Sequence, residues 1–306
     1  MAERKRPANA MPSGGGGGGW AEFNRKRAER MAARMENLTF VKGSRDPEKL
    51  DPVSAAILEV ASTGTSIFDP VVCEIAYRWF CPPGGMVLDP FAGGSVRGIL
   101  ASRLGRRYVG IELRGEQVEA NKAQLSLAGE PTPEWRCGDA CDIGLLASDI
   151  EADLIFSCPP YWNLERYSDD PADLSNMAFD DFLLAYRAII AGTVARLRDD
   201  RFAVWVVGDV RDEHGCYVSL PGRTIDAFET AGLRLYNDAI LVTAVGSLPI
   251  RVGRQFGASR KLGRTHQNIL VFIKGDPKRA TEACGAVEFG EISDNQEATL
   301  PGVDPL

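Results

Sequence analysis

Residues 88–95 read LDPFAGGS, directly after the apolar residues Met86 and Val87. A short buried strand ending in an acid, Asp89, and running into Gly93, Gly94 and Ser95 makes a close turn into a helix. Small residues let the backbone pass near a ligand, and the helix start presents free amides and its positive end. Such a loop belongs at the carboxyl ends of strands in a doubly wound sheet, where ligands bind.

Working outward, strand and helix patterns alternate. Strands are expected at Met86–Asp89, Tyr108–Leu113, Trp135–Cys137, Leu154–Ser157, Phe202–Val207, Leu233–Thr243 and Ile269–Lys274. Helical patterns occupy Arg97–Arg103, Glu116–Leu127, Phe182–Leu197 and Thr224–Thr230 between them. The run FAVWVV at 202–207 is apolar throughout, as a central strand buried on both faces requires. The fold class is α/β: a seven-stranded, doubly wound, mostly parallel Rossmann-like sheet with an antiparallel partner at one end. Two further strand ends carry acids. Glu112 in Gly110-Ile111-Glu112 is placed to accept ribose hydroxyls, and Asp139 in Cys137-Gly138-Asp139 to reach an adenine. Three such strand ends in succession fit a nucleoside-containing cofactor. Neither GxGxxG nor GxxxxGK[ST] stands at a strand end, which weakens dinucleotide and triphosphate readings.

The chain has 306 residues, a formal net charge of −7, seven cysteines and two histidines. No apolar run approaches the ~20 residues of a membrane span, and the first ten residues lack the apolar segment of a secretory signal. A cytoplasmic protein with reduced thiols is expected, without membrane or metal partners; no CxxC pair occurs. Charge is uneven. Residues 1–49 hold 11 Lys and Arg against 6 Asp and Glu, while residues 246–267 carry Arg251, Arg254, Arg260, Lys261 and Arg264 and no acid. Residues 247–264 lack apolar alternation and read as a long loop suited to phosphate contact. Three regions follow: residues 1–50, a flexible basic tail and helix; 51–275, the folded domain; and 276–306, an acidic, poorly ordered tail.

Residues 157–162, SCPPYW, end the fourth strand in a stiff corner with two aromatics behind it. The order LDPFAGGS, GIEL, GDA and CPPYW, closing with HQNILVFIKG, resembles the S-adenosylmethionine-dependent amino-methyltransferases of DNA, including phage and prophage members. The resemblance implies a class I methyltransferase fold, S-adenosyl-L-methionine as cofactor, and DNA as partner in a bacterial or phage-infected cell. It further implies that Asp89, Phe91, Gly93 and Gly94 shape the cofactor loop, with Glu112 on the ribose and Asp139 on the adenine. Phe68, in the segment TSIFDP, would close over the methionine end. Pro159, Pro160 and Tyr161 would receive a flipped cytosine or adenine, Trp162 being a neighbouring contact. The exocyclic amine of such a base is a poor nucleophile, because its lone pair is delocalised into the ring. A fixed carbonyl at the Pro-Pro corner, with Pro159 the candidate, would draw the nitrogen toward tetrahedral geometry.

Cys158 departs from the family, which has Asp, Asn or Ser at that position. Three roles remain open. It fills the position passively while backbone carbonyls orient the amine, it acts as a thiolate acceptor, or it adds to a pyrimidine ring as a nucleophile. A buried turn without catalytic work is a fourth possibility. RNA or protein-amide methylation is the enzymatic alternative, and a non-catalytic DNA-binding protein the alternative of another class.

Overall fold

The computed structural model describes residues 68–242 and 248–287. The expected helix at 20–37 and the segment Thr65–Ile67 lie outside the described residues. Seven strands form one sheet: β1 (Met86–Asp89), β2 (Arg107–Glu112), β3 (Glu134–Cys137), β4 (Ala152–Ser157), β5 (Leu197–Val207), β6 (Arg234–Val242) and β7 (His266–Lys274). Their order is β3-β2-β1-β4-β5-β7-β6. Neighbours from β3 to β5 are parallel, and β7 runs antiparallel to both β5 and β6. This is the class I methyltransferase topology. Chain order reverses direction between β1 and β4, so the crevice of the fold opens where those two strands end.

Alternation along the central strands divides the core. Leu88, Ile155, Ala203, Trp205 and Phe272 face one side, and Val87, Leu154, Phe156, Val204 and Val271 face the other. Both faces are covered, so these strands read as unbroken apolar runs. The first side packs on α5 (Phe179–Val194) through Phe182, Tyr186, Ile189 and Ile190. It also packs on α4 (Ile143–Leu146) and α6 (Leu220–Thr230) through Ile143 and Phe228. The second packs on α1 (Pro70–Phe80), α2 (Val96–Arg103) and α3 (Gly115–Ala123) through Tyr77, Ala101 and Val118. Asp69 caps α1 by accepting the Val71 N–H at 2.8 Å, and Pro70 starts the helix where no donor is needed. No helix among the described residues is long and apolar enough to cross a membrane.

Two local expectations are corrected. The basic segment read as a long loop contains α7 (Leu248–Ser259). Leu248, Val252 and Phe256 recur every four residues, a helical spacing that Gly253 and Gly257 obscure by lowering intrinsic propensity. Pro249 is tolerated because it falls in the first turn. The tail expected to begin at residue 276 instead opens with α8 (Pro277–Cys284). Asp276 caps it by accepting N–H bonds from Lys278 and Arg279, at 2.8 and 3.1 Å. Ala280 and Cys284 are buried on the second core face. Charged residues on its outer face give the helix a polar composition, which hid the two residues that dock it. Replacing Ala280 by Asp would bury an unpaired carboxylate there. We expect a loss on the order of 3 kcal/mol in urea unfolding, with Ala280→Ser costing far less.

Candidate active site

Asp89 ends β1 with a fully buried carboxylate engaged by four donors. Its Oδ1 accepts from the Phe91 N–H at 3.1 Å and the Ser157 hydroxyl at 2.5 Å. Its Oδ2 accepts from Arg97 Nε at 2.6 Å and the Tyr108 hydroxyl at 2.8 Å. Four bonds fill the acceptor capacity of a carboxylate. Asp89 therefore acts on the loop from beneath, with its oxygens already occupied.

Arg97 extends the network. Its guanidinium also donates to the carbonyls of Phe91 and, at 3.0 Å, Ala92, and lies 4.7 Å from the centroid of the Phe68 ring. Burial works against its charge, but the Asp89 carboxylate, through its charge and hydrogen bond and together with other neighbouring groups, outweighs this and holds the guanidinium above its ordinary pKa. Phe68 in turn meets Phe156 edge-to-face at 5.6 Å. Phe68, just before the Asp69 cap of α1, is thereby held beside the glycine loop.

The loop peptide is pinned from above as well. Gly93 donates its N–H to Glu112 Oε2 at 2.9 Å, and its carbonyl accepts from Asn121 Nδ2 at 2.7 Å. Glu112 Oε1 takes the Arg114 N–H and Nε at 3.1 and 3.3 Å. One acceptor position of Glu112 is left over. Gly93 has φ +52°, and a Cβ on Gly93 or Gly94 would meet no heavy atom within 4 Å. Both glycines thus border open space that side chains would occupy, next to a spare carboxylate acceptor. Asp139 stands at the end of β3 and accepts the Cys141 N–H at 2.8 Å, capping the short helical turn Ala140–Asp142. Phe91 meets Trp205 edge-to-face at 5.9 Å. An anchored glycine turn bordering open space, beside an available acid, fits S-adenosylmethionine, whose ribose needs hydrogen-bond acceptors and whose amino-acid end needs exposed backbone amides.

The SCPPYW turn stands at the end of β4, the strand beside β1. Pro159 and Pro160 have no N–H, so these two positions present acceptors and no backbone donor. Tyr161 is half-buried. Its hydroxyl lies 3.3 Å from Cys158 Sγ, and its ring rests over Gly208, where a Cβ would sit 3.0 Å from Cε2. Burial pushes the Cys158 thiol above its ordinary pKa, opposed by the Arg97 guanidinium and the Tyr161 hydrogen bond. Trp162 is turned away from Tyr161. Its Nε1 donates to the Met177 carbonyl at 3.1 Å and its ring meets Phe179 at 4.8 Å. Trp162 has φ +50°, a left-handed conformation that costs a non-glycine residue of order 1 kcal/mol or more and is sustained by these contacts.

Of the basic residues, Arg264 is tied into the protein. It donates to the His266 carbonyl at 3.1 Å and Asn268 Oδ1 at 2.8 Å, and lies 3.9 Å from Asp209. Arg260 stacks its guanidinium 5.1 Å from the Phe256 centroid, and Lys261 reaches the backbone at Gly215. The side chains of Arg251 and Arg254 lie outside the described residues, on α7. Among the described residues no cluster of three His, Cys, Asp or Glu could hold a metal. The buried roles of Arg97, Tyr108 and Ser157 and the ring contact of Gly208 had no motif to announce them. An arginine eight residues after Asp89, in a helix whose neighbours are small or apolar, was the one available signal.

Part of the chain is similar to known proteins. Residues 77–123, from the end of α1 to the end of α3, match the N6/N4 methyltransferase family model described as DNA methylase. Over 52 residues the chain is 38% identical to the DNA adenine methyltransferase YhdJ of Escherichia coli (strain K12), covering 17% of this chain and 18% of that protein. Over 47 residues it is 38% identical to the type II methyltransferase M2.DpnII of Streptococcus pneumoniae, covering 15% of this chain and 18% of that protein. The chain therefore matches only about a fifth of the length of these relatives. Among solved structures, TrmN from Thermus thermophilus aligns with a TM-score of 0.46 at 15% identity, over 68% of this chain and 49% of that one. The DNA methylase match contains the glycine loop and Glu112 and stops before SCPPYW.

Replacing Arg97 by Met would leave the Asp89 charge buried without its cation. We expect a loss of about 3–5 kcal/mol in chemical denaturation. At neutral pH Cys158 stays a thiol, so mass-spectrometric mapping after brief iodoacetamide treatment should find exposed Cys137 and Cys216 alkylated first. Alkylation of Cys158 should appear only above the ordinary thiol range.

Proposed function

We propose that this protein transfers a methyl group from S-adenosyl-L-methionine to the exocyclic amino group of a cytosine or adenine flipped out of DNA. The observation that carries the reading is the 2.5 Å bond from the Ser157 hydroxyl to Asp89. It joins the glycine loop after β1 to the Pro-Pro corner after β4, so the two halves of the site share one buried anchor. The family match over residues 77–123 supports the cofactor half and the DNA substrate class.

S-adenosylmethionine, when bound, supplies an activated methyl group on a sulfonium. Gly93 and Gly94 would admit its amino-acid end, Glu112 would accept from the ribose, and Asp139 and its neighbouring amides would face the adenine. Phe68 and Phe91 would bound the pocket with apolar surface. Asp89 would act as a positioning residue through the Phe91 N–H and Arg97.

On the substrate side, an amine with two hydrogens needs two acceptors. Pro159 and Pro160 offer carbonyls and no backbone donor of their own, with Pro159 the favoured acceptor. Drawing the amine hydrogens toward fixed carbonyls would leave the nitrogen lone pair free to take the methyl group, the C–S bond giving way to a neutral thioether, and the surplus amine proton would then pass to solvent. Tyr161 would stack on the base, its ring levelled by Gly208. Cys158 would fill its position as a neutral thiol, because the partly buried, uncharged sulfur is a weak acceptor and a weak nucleophile. The amine must leave its base pair before it can reach this corner.

Incubation with methyl-labelled cofactor and DNA, then mass spectrometry of the nucleosides, tests the reading and separates adenine from cytosine products. Label in RNA or protein alone, or no label despite cofactor binding, would overturn it. Cys158→Ser should keep most of the activity, whereas Tyr161→Ala should lose on the order of 10²-fold in kcat/KM. Gly208→Ala should lower activity with cofactor affinity unchanged, because the added methyl displaces the Tyr161 ring.

A further inference from the structure

An open cleft of about 660 Å³ is lined by Arg211, residues 214–217, residues 259–264 and His266. Its charged lining residues are Arg211, Arg260, Lys261 and Arg264; the neighbouring acids are Asp209, 3.9 Å from Arg264, and Asp212, whose Oδ1 accepts the Cys216 N–H at 2.8 Å. That volume is within the ~300–1,000 Å³ typical of ligand sites. The cleft is built on a closed hairpin. Val218 donates to the Val210 carbonyl at 3.0 Å, Asp212 to the Cys216 carbonyl at 2.9 Å, and Arg211 Nη1 to the Gly215 carbonyl at 2.7 Å. Asp209 ties both ends of the loop by accepting the N–H groups of Val210 and Leu220, each at 3.0 Å.

At the centre stands Tyr217. The Arg211 guanidinium lies 3.8 Å from its ring centroid and that of Arg264 lies 5.9 Å away. The residue is nonetheless 43% exposed. Lys261 leans onto Gly215, where any Cβ would collide with its ammonium. An aromatic surface held by arginine, with more cations than acids around it, matches what an unpaired nucleotide offers, a π-face on an anionic backbone. A stacked, paired base in duplex DNA has no free face for it.

Position adds the second constraint. Gly208 lies under the Tyr161 ring, and Arg211 follows three residues later. Three residues of chain reach at most ~10 Å. The cleft is therefore adjacent to the corner where the target base would be received.

We propose that this cleft binds an unpaired nucleotide flanking the target base, with Tyr217 as its stacking platform and Arg211, Arg260 and Lys261 as its phosphate contacts. The inference rests on the DNA methyltransferase reading for its substrate and assigns that site a single-strand-holding surface. Arg264 is the internal strut of the cleft.

Fluorescence anisotropy with a short labelled single-stranded DNA, its matched duplex and the same sequence as RNA tests the proposal. Tyr217→Ala should weaken single-stranded DNA binding ~5- to 100-fold, while Tyr217→Phe should bind as the parent does. Arg211→Gln and Lys261→Gln should each reduce the slope of log affinity against log salt by about 0.7. Unchanged melting temperatures would show that these variants remain folded. Normal single-strand affinity in Tyr217→Ala, or unchanged salt slopes in both charge variants, would overturn the assignment. So would tighter binding of RNA than of DNA. Labelled methyl transfer by the unsubstituted protein is scored separately. Transfer to DNA with normal Tyr217→Ala binding refutes the cleft alone, and absence of transfer to DNA refutes the enzymatic reading.

Discussion

The carboxylate of Asp89 is the point on which the candidate site turns. A fully buried charge is tolerable only if it is paired and its lone pairs are filled, and here Arg97, Tyr108, Ser157 and the Phe91 amide together meet that demand. Each donor comes from a different part of the site: α2, β2, the end of β4 and the glycine loop itself. Satisfying one buried acid therefore sets the relative positions of four segments. The cost of leaving any of the donors out makes the arrangement specific as well as stable.

A second consequence concerns which residues are left free to act. Asp89 and Arg97 are consumed in mutual satisfaction, whereas Glu112 keeps an acceptor position and Gly93 and Gly94 border open space. The same economy holds across the crevice. Trp162 is spent on Met177 and Phe179, and Arg264 on β7. The Tyr161 and Tyr217 rings keep part of their surface exposed. The division between anchored and available groups runs along the carboxyl edge of the sheet, from the glycine loop through the Pro-Pro corner to the basic cleft.

Cys158 illustrates how environment settles a chemically ambiguous residue. The thiol sits beside Arg97, which favours a thiolate, yet burial outweighs that attraction and holds the proton on sulfur. Its nearest polar partner is the Tyr161 hydroxyl. The position thus links the corner to its aromatic lid through a weak contact, which an alcohol side chain is able to reproduce.

How much was legible beforehand follows from the range of each signal. Strand-end acids, the glycine turn, the apolar strand at 202–207 and the Pro-Pro corner are local patterns, and they determined the sheet, its seven strands and the crevice side without coordinates. The helix at 248–259 was lost because Gly253 and Gly257 depress propensity, and the helix at 277–284 because its polar face outnumbers two docking residues. What only the tertiary structure decided are relations between distant segments: Ser157 and Tyr108 meeting on Asp89, Tyr161 lying on Gly208, and Tyr217 framed by Arg211 and Arg264. The reason is physical. A motif reports the backbone shape its own residues prefer, whereas the pairing of a buried charge or the seating of a ring depends on which strands the fold brings side by side.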